Sequence, residues 1–412
     1  MRFRLTWMIP LLCLCACSGW DRSNPLDPKN PETGGGVTGL ALSSIGREVR
    51  ISWDAVDLPA VTEYAVYRKP SGGRFECIAT VSSRFSEYRD PDRPYGTEWL
   101  YAVTAGTEAG YQSPLSDSLA ILPGPYTFWM CDYYDGSIQR LTYDGRHVIR
   151  MVRESIWPTS LAADTLRGRI WAVDYMTGYL YGMTEGENID LWISGLDNPV
   201  LAACDPSRPE IWAADAGRTR IVRFDGEGRL LGNVEGFGRI TGLCWSGSPG
   251  RFWVADQGRA RIELLDRSGD PVMTHMLSCK APPVLDAYPA ERWAVAADSL
   301  NIIRIHFTGE TDSLAVLDRT CYDLSVDPGT GGCWMILNGP SGEDDAVYLD
   351  AEGRILVRTG GFDSALAVAA VPGGEGCLVA DTGNGRMVRL NPDGSVLGES
   401  TGLVSPWDVI LY

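Results

Sequence analysis

The stretch WAADAGRTRIVRF, residues 212–224, is a short apolar strand that ends in a carboxylate, followed by a turn and a second strand. Six further copies of this phrase are WMCDYYDGSIQRL (129–141), WAVDYMTGYLYGM (171–183), WVADQGRARIELL (253–265), VAADSLNIIRIHF (295–307), WMILNGPSGEDDAVYL (334–349) and LVADTGNGRMVRL (378–390). Successive copies begin 39 to 44 residues apart. A strand-containing repeat of this length is typical of a β-propeller, in which each repeat forms one blade.

The segments between the phrases predict the remaining strands of each blade. A short apolar run before a phrase supplies the innermost strand, and a run after it supplies the outer strand. The last such run, SPWDVILY (405–412), has no phrase after it, whereas the phrase at Trp129 has no inner strand before it. We therefore predict seven blades over residues 124–412, with the C-terminal strand completing the first blade and removing the exposed sheet edge. Six blades are the alternative, because the phrase at Trp334 has Leu337 and Asn338 where the carboxylate is expected.

The repeated residues of the phrase have two possible explanations. The carboxylates are Asp132, Asp174, Asp215, Asp256, Asp298 and Asp381. They could bind calcium, but Asp also favours a tight turn because its side chain accepts hydrogen bonds from the following backbone N–H groups, and we favour the turn. The repeated tryptophans, which we expect to pack between blades, are Trp129, Trp171, Trp212, Trp253 and Trp334.

The N-terminus has the pattern of an export signal. Arg2 and Arg4 precede a short apolar run, residues 5–14, which is too short to span a membrane. Residues 18–36 are polar and rich in Pro, Asn and Gly, which predicts a flexible tether. Residues 37–123 alternate in strand fashion and break at turn residues, as in a small β-sandwich. The expected class is thus all-β, with a sandwich followed by a propeller.

Two resemblances to known families refine the N-terminal half. Leu14-Cys15-Ala16-Cys17 resembles the lipobox of bacterial lipoproteins, which makes residues 1–17 the signal peptide and lipobox and implies a cut after Ala16 and acylation of Cys17. Ser18, where inner-membrane lipoproteins carry Asp, then implies the outer membrane. A plain secretory signal cut near Ala16 is the alternative. Residues 37–123 resemble a fibronectin type III domain at Trp53, Tyr64, Tyr67, 103–105 and 113–116, which implies a spacer more than a ligand-binding module.

The repeats also resemble a family. ADTGNGRMVRLNPDG (380–394) and ADAGRTRIVRFDGEG (214–228) are similar to NHL repeats and to gluconolactonase-like propellers. That group contains binding platforms as well as hydrolases with a divalent metal held by Glu, Asn and Asp on the inner strands. Here the inner strands offer Asp286, Asp323 and Asp408 but no Glu at their starts. We align Asp323 and Asp408 in one channel column with Ser160, Leu201, Thr241, Leu285 and Ala367, and we expect neither a metal nor a cofactor.

Composition excludes several classes of function. The net charge of −17 is spread along the chain, which argues against nucleic acid and anionic lipid as partners. The cysteines form no CxxC pair or Cys/His cluster, so zinc is not expected. Cys279 and Cys321 lie at comparable points of successive repeats and are the pair to test for a disulfide. His147, His275 and His306 lie outside the inner strands, and we expect no catalytic residue.

The binding residues are predicted from blade position. We expect the loops before the inner strands to converge at one mouth of the propeller. The candidates there are Trp157, Phe237, Lys280 and Trp407, with Asp323 and Asp408 deeper. The interpretation is an exported, lipid-anchored binding protein of the cell envelope, held on the membrane by its anchor and recognising an envelope protein or a glycan. A metal-dependent extracytoplasmic hydrolase of the lactonase kind and a purely structural envelope protein are the alternatives.

Overall fold

The computed structural model describes residues 24–27, 29, 36–154, 157–184, 189–278, 284–288, 293–298, 300–340 and 342–412. Regular structure in this part of the chain is β-strand, apart from two single-turn 3₁₀ helices, Ala216–Arg218 and Gln257–Arg259. The predicted all-β class is confirmed. Among the described residues, no helix is long and hydrophobic enough to cross a bilayer.

The described residues divide into two compact units. One draws on residues 1–41, 51–88 and 99–120, and the other on residues 42–50, 89–98 and 121–412. The domain boundary predicted between residues 123 and 124 stays a prediction.

Seven strands before the repeats form two sheets. Three strands hydrogen-bond in the order Ala41–Ile45, Glu48–Ser52 and Glu87–Asp90. Four strands hydrogen-bond in the order Glu76–Ser82, Val61–Pro70, Trp99–Thr107 and Leu119–Ile121. Trp53 is buried, with its ring centroid 5.3 Å from that of Tyr64. Sheets of three and four strands are the elements that a β-sandwich requires, and the fibronectin type III assignment stays a prediction.

The repeats form seven antiparallel four-stranded sheets, numbered here as blades 1 to 7. The inner strands of blades 1 to 7 are Pro406–Leu411, Pro158–Asp164, Pro199–Asp205, Ile240–Trp245, Val284–Tyr288, Cys321–Val326 and Ala365–Ala370. The second strands are Phe128–Asp132, Arg169–Asp174, Glu210–Asp215, Phe252–Asp256, Trp293–Asp298, Cys333–Leu337 and Cys377–Asp381. The third strands are Ser137–Leu141, Tyr179–Thr184, Arg220–Asp225, Arg261–Leu265, Asn301–His306, Asp344–Leu349 and Arg386–Leu390. The outer strands are Val148–Arg153, Ile189–Ile193, Leu230–Val234, Pro271–Met276, Thr311–Val316, Ile355–Phe362 and Val396–Thr401.

The C-terminal strand completes blade 1, as predicted. Pro406 pairs with Asp132 and Leu411 pairs with Phe128 in antiparallel register. The two ends of the repeat region are thereby hydrogen-bonded in one sheet, so the inner edge of Phe128–Asp132 is paired. Blade 6, which contains the irregular phrase at Trp334, is a complete four-stranded sheet, so seven blades are confirmed over six.

The hydrophobic core lies between the blades. Seven buried clusters each combine residues of two neighbouring blades, and together they join the blades around the ring. Six of these clusters contain a tryptophan of a second strand that is at most 2% exposed: Trp129, Trp171, Trp212, Trp253, Trp293 and Trp334. The predicted packing role is confirmed. Trp293 was missed because it lies two residues before the start assigned to its phrase, on the same face of the strand.

The cluster between blades 7 and 1 is built differently. Leu378 takes the place of the tryptophan, and Phe128 and Tyr143 fill the space beside it. Arg389 is fully buried here. Its guanidinium donates to the backbone carbonyls of Glu375 at 2.8 Å and Tyr143 at 3.3 Å, and it lies 5.0 Å from the centroid of the Tyr143 ring. Because a buried charge needs such partners, the closing contact of the ring is held by polar groups as well as by apolar packing.

Candidate functional site

A cavity of about 570 Å³ opens at one end of the central channel. Every blade contributes to its lining, and most of the contributing residues stand at the start of an inner strand. The loops that precede the inner strands therefore converge here, as predicted. The volume is within the range of roughly 300–1,000 Å³ that small-molecule sites occupy.

A β-bulge at the start of six inner strands points one side chain toward this cavity. In blade 2, Pro158 pairs with Asp174 and Ser160 pairs with Val173, so Thr159 has no partner opposite it. The same register shift recurs in blades 1, 3, 4, 6 and 7. The extra residues all line the cavity: Thr159, Val200, Thr241, Tyr322, Leu366 and Trp407. A bulge re-aims side chains in this way because the extra residue leaves the ladder.

The bulges also correct the predicted channel column. By pairing register, the column that contains Asp323 and Asp408 holds Gly242 and Val284, and not Thr241 and Leu285 as expected from the sequence. Asp286 lies one layer further along the channel, level with Ser325. The expected alignment was wrong by one residue in blades 4 and 5.

The acids of the channel bind the backbone of neighbouring blades. Asp408 accepts a hydrogen bond from the N–H of Leu161 at 2.7 Å, and Asp323 accepts one from Val368 at 2.8 Å. Asp286 accepts one from the N–H of Val326 in the next blade at 2.9 Å. Ser160, in the same column as Asp323 and Asp408, does the same through its hydroxyl at 3.4 Å. These acids therefore link the inner strand of one blade to that of the next.

Burial raises the pKa of all three acids. The pKa of Asp323 rises to about 8, because it is buried and because the charges of Asp408 and Asp286 lie nearby, although backbone N–H donors oppose the shift. Burial raises the pKa of Asp286 and of Asp408 to about 6. At neutral pH Asp323 is thus largely protonated. Among the described residues, no group of three or more His, Cys, Asp or Glu side chains is arranged to hold a metal ion.

The rim of the cavity carries one basic group and several uncharged polar groups. Arg239, just before the inner strand of blade 4, is exposed and is the single basic residue that the described part of the chain contributes to the lining. It forms no ion pair within the part of the chain that the structure describes. Tyr322 faces it from blade 6: burial and the charge of Asp323 raise the pKa of the tyrosine hydroxyl, and Arg239 acts in the opposite direction. The other polar rim residues are Thr159, Thr241, Thr320 and Asn338.

An exposed aromatic surface continues from the cavity over blades 1 and 2. The rings of Trp407, Tyr133 and Tyr134 form a series, with centroids 5.0 Å apart for the first pair and 4.9 Å for the second. Tyr134 is 70% exposed. Burial raises the pKa of Tyr133, and the nearby groups of Tyr134, Asp174 and Tyr175 raise it further. We call this surface the mouth patch, and its exposed members are Tyr134, Trp157, Tyr175, Met176 and Val404.

The repeated carboxylates hold the loops that carry these residues. All six are buried and accept backbone hydrogen bonds in their own turn or from the segment before the inner strand of their own blade. Asp174, for example, accepts from Met176 in its turn at 3.0 Å and from Trp157 before the inner strand at 2.9 Å. The preferred turn explanation is confirmed for Asp132, Asp174 and Asp256, which accept from backbone N–H groups of their own turn. Asp215, Asp298 and Asp381 accept from the loop before the inner strand, a role that the sequence did not indicate. In blade 6, Asp344 accepts from Gly339 at 2.8 Å and replaces the missing carboxylate.

The predicted binding residues are placed as follows. Trp407, Asp323 and Asp408 line the cavity, and Trp157 is 39% exposed on the mouth patch. The expectation that Phe237 is exposed was wrong, since it is 6% exposed and belongs to the core between blades 3 and 4. Lys280, like the lipidation residue Cys17, lies outside the described residues. Their binding and lipidation roles stay predictions.

The remaining sequence candidates lie away from the cavity or differ from expectation. None of the three histidines lines it, and His306 contacts Asp312 at 2.9 Å. Cys321 is a free thiol whose sulfur lies 3.2 Å from the carbonyl oxygen of Asp323. The suggested Cys279–Cys321 disulfide is therefore not formed in this structure, and Cys279 itself lies outside the described residues.

Comparisons with known proteins identify the fold. No protein-family model matches the chain, and no curated protein matches it in sequence. Its fold is similar to a candidate 6-phosphogluconolactonase from Bacteroides uniformis, with a TM-score of 0.58 and 13% identity, covering 70% of this chain and 99% of the other. A functionally unknown protein from Desulfotomaculum acetoxidans gives a TM-score of 0.58 at 10% identity, covering 69% of this chain and 98% of its own. A catalytically inactive virginiamycin B lyase from Staphylococcus aureus with Quinupristin gives 0.52 at 15% identity, covering 61% and 87%. At these identities the likeness shows a β-propeller fold and nothing of the activity.

Proposed function

We propose that this protein is an exported, lipid-anchored binding protein whose ligand occupies the cavity at the channel mouth, without catalysis. The cavity carries this proposal: side chains of all seven blades converge on it, and six of them are placed there by the same bulge. A largely pre-formed concave site with a few polar groups is what ligand recognition requires.

The state of the acids favours binding over catalysis. A hydrolytic metal would need several oxygen ligands free to converge on it. Asp323 and Asp408 instead accept hydrogen bonds from backbone N–H groups of the next blade, at 2.8 and 2.7 Å. The metal-dependent hydrolase remains the second candidate, because both acids do line the cavity and because lactonase-like proteins are among those with a similar fold.

The anchor and the location rest on the N-terminal sequence. Acylation of Cys17 would hold the protein at the outer membrane of a bacterial envelope, with residues 18–36 as a tether and the fibronectin type III-like segment as a spacer. The proposed partner is an envelope protein or a glycan, and the acidity of the chain argues against nucleic acid.

A ligand screen against a filled cavity tests the binding site. The full chain would be examined by saturation-transfer NMR with a panel of saccharides, organic acids, short peptides and lactones. We expect at least one class to bind, Val200→Trp to abolish that binding by filling the cavity, and Leu231→Trp on the outer strand of the same blade to leave it intact. Binding that survives Val200→Trp, or turnover of a lactone by the unmodified protein, would contradict the proposal.

A labelling experiment tests the anchor. Expressed in a Gram-negative host, the full chain should incorporate radiolabelled palmitate and partition into detergent. Cys17→Ser should lose both properties, whereas Cys77→Ser, which removes an exposed thiol, should keep them. Release of an unlabelled protein into the periplasm would support the plain secretory signal instead.

A further inference from the structure

The rim of the cavity offers one basic group to a negatively charged ligand, despite the acidity of the chain as a whole. Among the described residues, Arg239 is the single basic one in the lining, and it is exposed and forms no ion pair. Asp323 and Asp408 also line the cavity, and each accepts a hydrogen bond from the backbone of the neighbouring blade. An unpaired guanidinium offers two parallel donors to a carboxylate or another anionic group.

The rest of the rim is suited to hydroxyl groups. Thr159, Thr320, Asn338 and Tyr322 present hydroxyls and an amide around the opening, and none of these groups carries a charge at neutral pH. A ligand with many hydroxyls can both donate to and accept from such groups. A simple aliphatic acid would use Arg239 and make no contact with the rim hydroxyls and the amide.

The mouth patch extends the site in one direction. The rings of Trp407, Tyr133 and Tyr134 lead from the cavity to solvent in steps of about 5 Å, and Tyr134 is the most exposed of them. Exposed tyrosine and tryptophan rings have an apolar face that can stack on the C–H face of a sugar and a polar group that remains in water. The row of aromatic rings continues beyond the cavity, so it fits a chain-like ligand better than a single small molecule.

We propose that the cavity binds an acidic sugar of a carbohydrate chain, with the carboxylate on Arg239 and the adjoining sugars stacked on the mouth patch. This inference rests on the proposed function, since it assigns a ligand class to the same cavity. A peptide with an acidic side chain would also meet Arg239, but it has no need of a hydroxyl-matched rim. The carbohydrate is therefore the occupant that the combined features favour.

Calorimetry with matched probes tests the proposal. The full-length protein in detergent would be titrated with tri-galacturonic acid, with the same trisaccharide fully methyl-esterified, with galacturonic acid alone, with inorganic phosphate and with an acidic tripeptide. We expect the acid trisaccharide to bind and its ester to bind at least about tenfold more weakly, as loss of a charge-assisted bidentate contact predicts. The single sugar should bind more weakly than the trisaccharide.

Three variants locate the contacts. Arg239→Gln should weaken the acid trisaccharide by about tenfold to a hundredfold and leave the ester unchanged. Arg229→Gln, a control at an exposed arginine in the turn after the third strand of blade 3, should change neither. Tyr134→Ala should weaken the trisaccharide by about threefold to tenfold and spare the single sugar. Melting temperatures and circular dichroism establish that each variant is folded.

The outcomes separate this inference from the proposed function. Equal affinity for acid and ester, no effect of Arg239→Gln, or binding of phosphate or the peptide in preference to the sugar would overturn the acidic carbohydrate. In each of those cases, a ligand that no longer binds to Val200→Trp would still show that the cavity is the binding site. If Val200→Trp displaces nothing, the proposed function itself fails.

Discussion

Two kinds of side chain link the inner strand of one blade to that of the next. Ser160 and Asp408 both accept a backbone N–H from the next blade, one through a neutral hydroxyl and the other through a carboxyl group. The hydroxyl does this at any pH, whereas the carboxyl group must be desolvated to reach its partner. This desolvation is the main reason why the pKa values of the three channel acids are raised.

We predict that the protein is less stable in mild alkali than in mild acid, and that Asp323 contributes to the difference. The pKa of Asp323 is about 8 in the folded protein and about 4 in the unfolded chain, so between these values the folded state binds more protons. The free energy of unfolding therefore falls as the pH rises from about 4 to about 8. Asp286 and Asp408, with pKa values of about 6, add to the fall in the lower part of this range.

The variant Asp323→Ser isolates this effect, because serine performs the same role at position 160. Its melting temperature should depend less on pH than that of the unmodified protein. Relative to the unmodified protein, its free energy of unfolding should be about 1 kcal/mol or more higher at pH 9 than at pH 5. Differential scanning calorimetry across this range measures it. An unchanged pH profile would show that Asp323 is ionised and stabilised in the folded state.

At the scale of the element, the repeated phrase determines both the strand pair and its packing. The apolar strand buries a tryptophan against the next blade, and the terminal carboxylate binds the loop before the inner strand. Each phrase thus contributes to the core between blades and to the position of the mouth residues. Replacing either group should have a distinct consequence.

We predict that Trp212→Ala destabilises the protein by about 3–5 kcal/mol, as expected for removal of a fully buried indole from a packed core. Trp212 packs against Phe252 of the next blade, with ring centroids 4.3 Å apart. Trp192→Ala, which removes a tryptophan that is 48% exposed, should cost only about 1 kcal/mol. Urea unfolding measures both, and similar losses would contradict the assigned packing role.

The sequence predicted elements better than their registers. The phrases gave the seven blades and their second and third strands, because an apolar run, a turn and a second run are local patterns. The bulge before residues such as Thr159 and Thr241 has no local signal, since it depends on which residue pairs across the sheet. The column of channel residues was therefore wrong in two blades, and Phe237 was expected at the surface although its neighbours in space bury it.

For the whole molecule, closure of the ring depends on the C-terminal strand and on the contact between blades 7 and 1. Pro406–Leu411 supplies the inner strand of blade 1, and Arg389 and Tyr143 join the last blade to the first. Cavity and closure are linked, because Trp407 and Asp408 of this strand line the mouth.

We predict that deletion of residues 405–412 prevents formation of the closed ring. The second strand of blade 1, Phe128–Asp132, would then be an exposed apolar edge, which favours aggregation. Size-exclusion chromatography and amide hydrogen exchange of Phe128–Asp132 measure the effect. A Gly-Ser extension after Tyr412 is the control and should leave both unchanged, whereas a monomeric, protected truncation would show that closure is dispensable.

The most direct test of the account is elemental analysis of the purified protein after dialysis without chelator. If the channel acids join the blades and the mouth is a binding cavity, we expect no divalent metal near one equivalent per chain, and the same result for Asp323→Ser. One tightly held calcium or zinc per chain, lost in Asp323→Ser, would contradict the account and establish the cavity as a metal-dependent site.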